Sequence, residues 1–321
     1  MKKKFLAIIT AACALVMAFA LVGCGGSSSK DLRFVTGGDS GTYYGYGSVL
    51  AQYSTNNAGV KVNAITSDGS KANIQSLEDN EADIAFCQAD VTSYAYSGTV
   101  LFDKAYTDFS VVASLYPEQI QIVTLDPSIK TVSDLKGKTV SIGAANSGVY
   151  FNAVDILGAY GLSEADITPV LQNFKDSADS LKNGKIDAAF ITAGAPTTAI
   201  TELDTSKPTY LVSLDAAHIA ALKEKCPFYD EVVIPAGTYS GMTSDCTTVA
   251  TAALIIANNS VSEDDIYKFT KSLFDGAEKN ASAHAKYAEL SLENATSYAA
   301  VPYHAGAAKY YAEKNITVPT A

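Results

Sequence analysis

The residues best suited to chemistry cluster in one stretch, TGGDSGTYYGYGSVLAQY, residues 36–53. Its first twelve residues hold five glycines, with Asp39, Ser40, Thr42 and Tyr43 among them. An apolar helical pattern follows, with Tyr46, Val49, Leu50 and Tyr53 at i, i+3, i+4 and i+7. A glycine-rich turn that opens a helix leaves backbone N–H groups without partners. The helix start also carries roughly half a positive charge. Such a turn holds an anion without any lysine. Ser40 and Thr42 add hydroxyls, and Tyr43 adds a ring and a phenol. The anion could be a phosphate or a carboxylate.

The stretch has a counterpart. VTGGDSGTYY from Val35 matches IGAANSGVYF from Ile142, at an offset of 107 residues without a gap. The second turn contributes Asn146, Ser147, Gly148 and Val149, followed by Tyr150. The apolar helix face recurs as Ala153, Ile156, Leu157 and Tyr160. Residues 76–86 and 180–190 form another matched pair at an offset of 104, each a helix end, a turn and a short buried strand. Two such matches in order predict two similar α/β lobes with largely parallel sheets. Residues 247–257 then read as a strand. Helices are expected over residues 264–278 and at AAKYYAEK near the chain end. This tail is expected to return to the first lobe. The chain would cross between lobes near residues 114–121 and 237–246, and two crossings make a hinge. Lobe I is expected to comprise residues 31–117 and 246–321, and lobe II residues 118–245. Both Ser-Gly turns lie where open α/β sheets bind ligands, at strand carboxyl ends. Facing lobes would aim both at one ligand.

Other chemistries fit less well. Gly137-Lys138-Thr139 resembles the end of a phosphate loop, but Val132 stands where that loop needs glycine. No GxGxxG opens the first helix, which argues against a dinucleotide. The three histidines, His218, His284 and His304, sit in no catalytic pattern, and there is no GxSxG elbow. Asp39, Asp83 and Asp187 fit turn and helix capping better than acid–base work. No CxxC or His-Cys cluster points to zinc. An enzyme is not expected, and neither a cofactor nor a metal.

The chain start places the protein. Lys2, Lys3 and Lys4 precede an uncharged apolar run over residues 5–22, the pattern of a signal peptide (residues 1–23). It ends in Leu21-Val22-Gly23-Cys24, which resembles a bacterial lipobox, so Cys24 is the expected lipidation site. Residues 24–30 then form a flexible tether, and the protein is expected outside the cytoplasm, lipid-anchored to the cell membrane. Removing residues 1–23 takes away three lysines and no acid. That leaves 20 basic against 34 acidic residues, a charge of −14, which disfavours nucleic acid as a partner. Of the remaining cysteines, Cys87 reads as a small buried hydrophobe. Cys226 and Cys246 either pair as a disulfide or stay free.

The residues resemble a known family. TGGDSGTYYGYGS is similar to the opening motif of the TAXI receptors, the solute-binding proteins of one class of TRAP (tripartite, ATP-independent, periplasmic) transporters. The likeness continues through SDGSKANIQSLEDNEADIAFCQAD and VVASLYPEQIQIVTLDPSIKTVSDLKGKTVSIGAANSGVYFNA. It extends through SLKNGKIDAAFITAGAPTTAI and PFYDEVVIPAGTYSGM to VPYHAGAAKYY. The resemblance implies a two-lobed α/β type II periplasmic-binding-protein fold that closes on a small organic anion. Glutamate-like amino acids and dicarboxylates are the implied ligands, and TRAP membrane permease subunits the implied partners. Carried over by position, the ligand would meet Asp39 to Tyr43 and Asn146 to Val149, with Gln88, Thr192 and Tyr239 as further candidates. The other main TRAP receptor class holds a carboxylate with an arginine. Here the single arginine, Arg33, starts the first strand, so neutral donors must do that work. Two rivals remain: a receptor of an ATP-driven importer with the same fold, and a surface interaction protein with no small ligand.

Overall fold

The structure is a computed structural model that describes residues 31–100 and 102–320. The expected signal peptide, tether and Cys24 lie outside these residues. Ten strands form one continuous curled sheet. In chain order they are β1 (Leu32–Val35), β2 (Val62–Ile65), β3 (Ile84–Gln88), β4 (Phe109–Thr124) and β5 (Thr139–Ser141). There follow β6 (Thr168–Val170), β7 (Ala188–Ala193), β8 (Tyr210–Leu211), β9 (Asp230–Ile234) and β10 (Cys246–Asn258). The main order is β2-β1-β3-β10-β4-β7-β5-β6. It reads as two mirrored halves. β1 pairs in parallel with β2 and β3; β5 pairs in parallel with β6 and β7. β3 and β7 are buried along their whole length and carry continuous apolar runs, as strands covered on both faces must.

The helices fill the gaps in the repeat. In the first half lie α1 (Thr42–Asn57), α2 (Ser70–Glu78) and α3 (Ala89–Ser97). In the second lie α4 (Gly148–Ala159), α5 (Phe174–Lys182), α6 (Thr198–Asp204) and α7 (Ala216–Lys225). The periodic faces read from the sequence face the cores. Tyr46 and Leu50 are buried on α1, and Ala153, Ile156 and Leu157 on α4. Gly47 on α1 lets the helix lie close to the sheet. A Cβ there would stand 2.8 Å from Thr36 Cγ2 and 3.2 Å from the Phe86 ring. The tail forms α8 (Glu263–Asp275) and α9 (Ala277–Ala281), then α10 (Leu292–Ala295) and α11 (Ala305–Glu313). α8 packs on α1 and α11, which brings the end of the chain back against the first half.

Two long strands join the halves. The first part of β4 pairs with β10, and its last part with β7. β10 pairs through its second half with β3 and through its first with β9. The pairing of β4 and β10 shifts register between Ala252 and Leu254, beside Pro117. Proline has no N–H for the ladder, so a bulge is where a central strand tolerates it. The second crossing therefore lies inside β10, not in residues 237–246. Cys246 to Ala250 pair with β9. Among the described residues no helix is long and apolar enough to cross a membrane.

The expected alternative of a Cys226–Cys246 disulfide is not realised. Both thiols are free and buried, each with its own partner. Cys226 Sγ lies 2.8 Å from the Tyr94 hydroxyl, and Cys246 Sγ contacts the Val212 carbonyl at 3.7 Å. Burial pushes the Cys226 thiol up to about 11. Cys87 is the buried hydrophobe that the sequence suggests.

Candidate functional site

A small cleft of about 60 Å³ lies between the halves. Five helices start at its wall. The caps of α1 (Gly41), α2 (Gly69), α3 (Gln88) and α4 (Ser147) line it without a side-chain cap, whereas Asn173 caps α5 by accepting from the Asp176 N–H. Their first N–H groups have no intrahelical acceptor, and each start is a positive pole. Thr42, Ser67, Ser70 and Ser147 bring hydroxyls to the same lining. It contains no Lys, Arg or His, but two acids, Asp68 and Glu118. Asp68 is exposed. Glu118 is only 2% exposed and takes a 2.5 Å hydrogen bond from the Tyr43 hydroxyl to Oε2. Burial pushes its carboxyl well above the usual range, against the opposing effects of Tyr43 and the Lys286 charge. Arg33 is elsewhere: its Nε lies 2.9 Å from Asp83 Oδ2.

Most of the expected binding residues meet here. Gly41, Thr42, Tyr43, Gln88, Ser147, Gly148, Val149 and Thr192 line the cleft. Asp39, Ser40, Asn146 and Tyr239 do not. Asp39 is exposed to solvent. Tyr239 is buried in the second half, donating to Gln121 Oε1 at 2.6 Å and accepting from the Thr197 N–H at 2.9 Å. Ser40 and Asn146 close the cleft through their backbones instead. The Ser40 carbonyl accepts from the Ala199 N–H at 3.2 Å, and the Asn146 carbonyl from the Ala72 N–H at 3.0 Å. Each turn thus satisfies a helix start of the opposite half.

Gln88 and Thr192 have a second task. Both donate to Oδ1 of Asn152 on α4, at 2.7 Å and 2.9 Å. Asn152 Nδ2 donates to Asp90 Oδ2 and to the Tyr229 hydroxyl, both at 2.9 Å. Thr251 donates to the other Asp90 oxygen at 3.2 Å, and Tyr229 donates to Asp155 at 3.0 Å. This buried network joins α3 of the first half to α4 and β7 of the second. Burial pushes the Asp90 carboxyl up to about 6, with Asp155 adding to the rise. Phe151 on α4 enters the apolar core of the first half, beside Tyr94 and Phe102. The contact leaves no room at Gly148, where a Cβ would sit 1.3 Å from Gln88 Oε1. The cleft is in a closed form.

A model of the NMT1-like family matches residues 34–314. The chain belongs to the NMT1-like family. Solved structures bear on the fold of this NMT1-like chain. A protein of Bordetella bronchiseptica RB50 is 18% identical, covers 88% of each chain and superposes with a TM-score of 0.54. The ligand-binding component of an ABC-type import system from Staphylococcus aureus, with zinc bound, is 7% identical. It covers 81% of this chain and 78% of its own, with a TM-score of 0.50. The fold is the two-lobed periplasmic-binding-protein fold.

Sequence reasoning missed Glu118, Asn152, the 67–70 turn, and Asn173 with Phe174. Glu118 left a signal. It stands as an acid, next to a proline, inside the apolar run VVASLYPEQIQIV. A carboxyl placed in a buried strand is costly, and its retention calls for a role.

Proposed function

We propose that this protein is an extracytoplasmic receptor that captures a small organic anion between its lobes and delivers it to a membrane permease. The observation that carries this reading is the convergence of four helix starts without side-chain caps on a cleft lined by no basic side chain. Each charge-assisted bond from such N–H or O–H groups contributes about 1.5–3 kcal/mol. Four would support roughly micromolar binding, about −8.2 kcal/mol, after ordering costs. The sequence likeness to TAXI receptors favours a TRAP-type permease driven by an ion gradient. It also favours a glutamate-like amino acid or dicarboxylate as ligand, and a lipid anchor at Cys24. The receptor of an ATP-driven importer is the second reading, because the fold is shared with the Staphylococcus aureus component.

The test uses protein stripped of ligand by partial unfolding and refolding. A panel of small carboxylic acids is screened by melting temperature, then by X-ray scattering in solution. The expected result is an acid that raises the melting temperature and also lowers the radius of gyration as the lobes close. If no acid shifts the melting temperature, the protein is not a receptor of this kind. Uptake into vesicles containing the permease separates the two transport readings: collapse of ion gradients stops the TRAP-type route, and ATP depletion stops the other.

A further inference from the structure

Glu118 is a buried acid in the wall of a cleft otherwise built for an anion. Its neighbours show which role its carboxyl plays. Tyr43 donates to Oε2, and no described residue donates to Oε1. The nearby cation, Lys286, is held at 2.6 Å by Glu289. Among the polar side chains around the cleft, Gln88 and Thr192 are engaged with Asn152 and Ser147 with the Ala144 carbonyl; Thr42 and Ser67 donate to the Gly194 and Thr36 carbonyls, and Ser70 to Gln88 Oε1. Glu118 therefore offers one free acceptor oxygen, in a place where water is scarce.

We infer that Glu118, oriented by Tyr43, is an ammonium subsite, and that the ligand is a zwitterion of the amino-acid type. Its carboxylate meets the starts of α1, α2 and α4, and its ammonium meets Glu118. This inference rests on the receptor reading and narrows it, since simple dicarboxylates carry no cation for Glu118. A buried acid facing such an anion would repel it unless protonated. A ligand ammonium removes that conflict and supplies the missing donor.

The experiment is titration calorimetry with the twenty standard L-amino acids. Each one that binds is then compared with the same acid lacking its amino group, for example L-glutamate with glutarate. Wild type, Glu118→Gln and Glu118→Asp are tested. Gln keeps the shape and still accepts from Tyr43, but lacks the charge; Asp keeps the charge. Wild type is expected to prefer the amino form by at least about tenfold. Glu118→Gln should lose most of that preference at an unchanged melting temperature, and Glu118→Asp should retain part of it. The inference is overturned if deaminated acids bind wild type as well as amino acids do, or if Glu118→Gln keeps the preference. Binding of simple dicarboxylates alone overturns this inference but leaves the receptor reading standing. If nothing binds, both fall.

Discussion

Asn152 carries the closed form at the scale of single residues. Its amide spends both donors and its acceptor on partners from two halves of the molecule. The network it organises holds Asp90 as a buried acid with its carboxyl pushed up to about 6. The sign of the consequence follows from linkage. An acid whose value is raised by folding contributes its stability below the ordinary carboxylate value and loses it as pH rises through the folded one. Wild-type stability should therefore carry a component that declines between about pH 4 and pH 7. Asp90→Asn removes the charge, and the Thr251 hydroxyl can turn to accept where it now donates. The variant should melt higher than wild type at pH 8, by the equivalent of about 1–3 kcal/mol, with the advantage shrinking toward pH 4. Melting curves across this range decide it. Parallel pH dependences of variant and wild type would show that Asp90 does not titrate as argued.

At the scale of elements, glycine and helix starts make the site. The paired Ser-Gly turns were legible because the same turn-and-helix pattern occurs twice, and a repeated pattern has to serve similar backbone geometry. The structure agrees: β1 leads into α1 and β5 into α4, and the caps of both helices reach the cleft. A further helix start, that of α2, was hidden because its turn, Ser67-Asp68-Gly69, has no partner in the repeat. Side-chain roles were less legible than turns. Ser40 carries an obvious hydroxyl, yet the structure uses its carbonyl. A sequence shows which donors a turn owns but not which of them face the cleft. Gly148 tests the element directly. Gly148→Val places branched carbon where the end of the Gln88 side chain now lies, so Gln88 must swing away and lose its bond to Asn152, which weakens closure while each half keeps its own core. The expected result is a loss of ligand affinity of 100-fold or more (on the order of 3 kcal/mol) with a melting temperature close to that of unliganded wild type. Undiminished affinity in calorimetry would mean that the ligand-bound form is not the closed form seen here.

At the scale of the whole molecule, a twofold arrangement of strands places the cleft between two similar halves. The halves β2-β1-β3-β10 and β6-β5-β7-β4 each take an antiparallel strand that the chain brings back from a crossing. This explains why the sequence revealed two lobes but misplaced the second crossing. A strand that runs through both lobes has one continuous apolar pattern, and nothing in that pattern marks where one lobe ends. The Pro117 bulge marks the crossing in β4; β10 carries no such mark in its residues. The account as a whole holds that a small acid occupies the cleft between these halves. Mass spectrometry of the small molecules released on denaturing freshly purified protein tests this most directly, with Gly148→Val purified in parallel. The account predicts an amino-bearing organic acid released from wild type in near-stoichiometric amount and absent from the variant. No released molecule from wild type at any purification stringency, or equal release from both proteins, would contradict it.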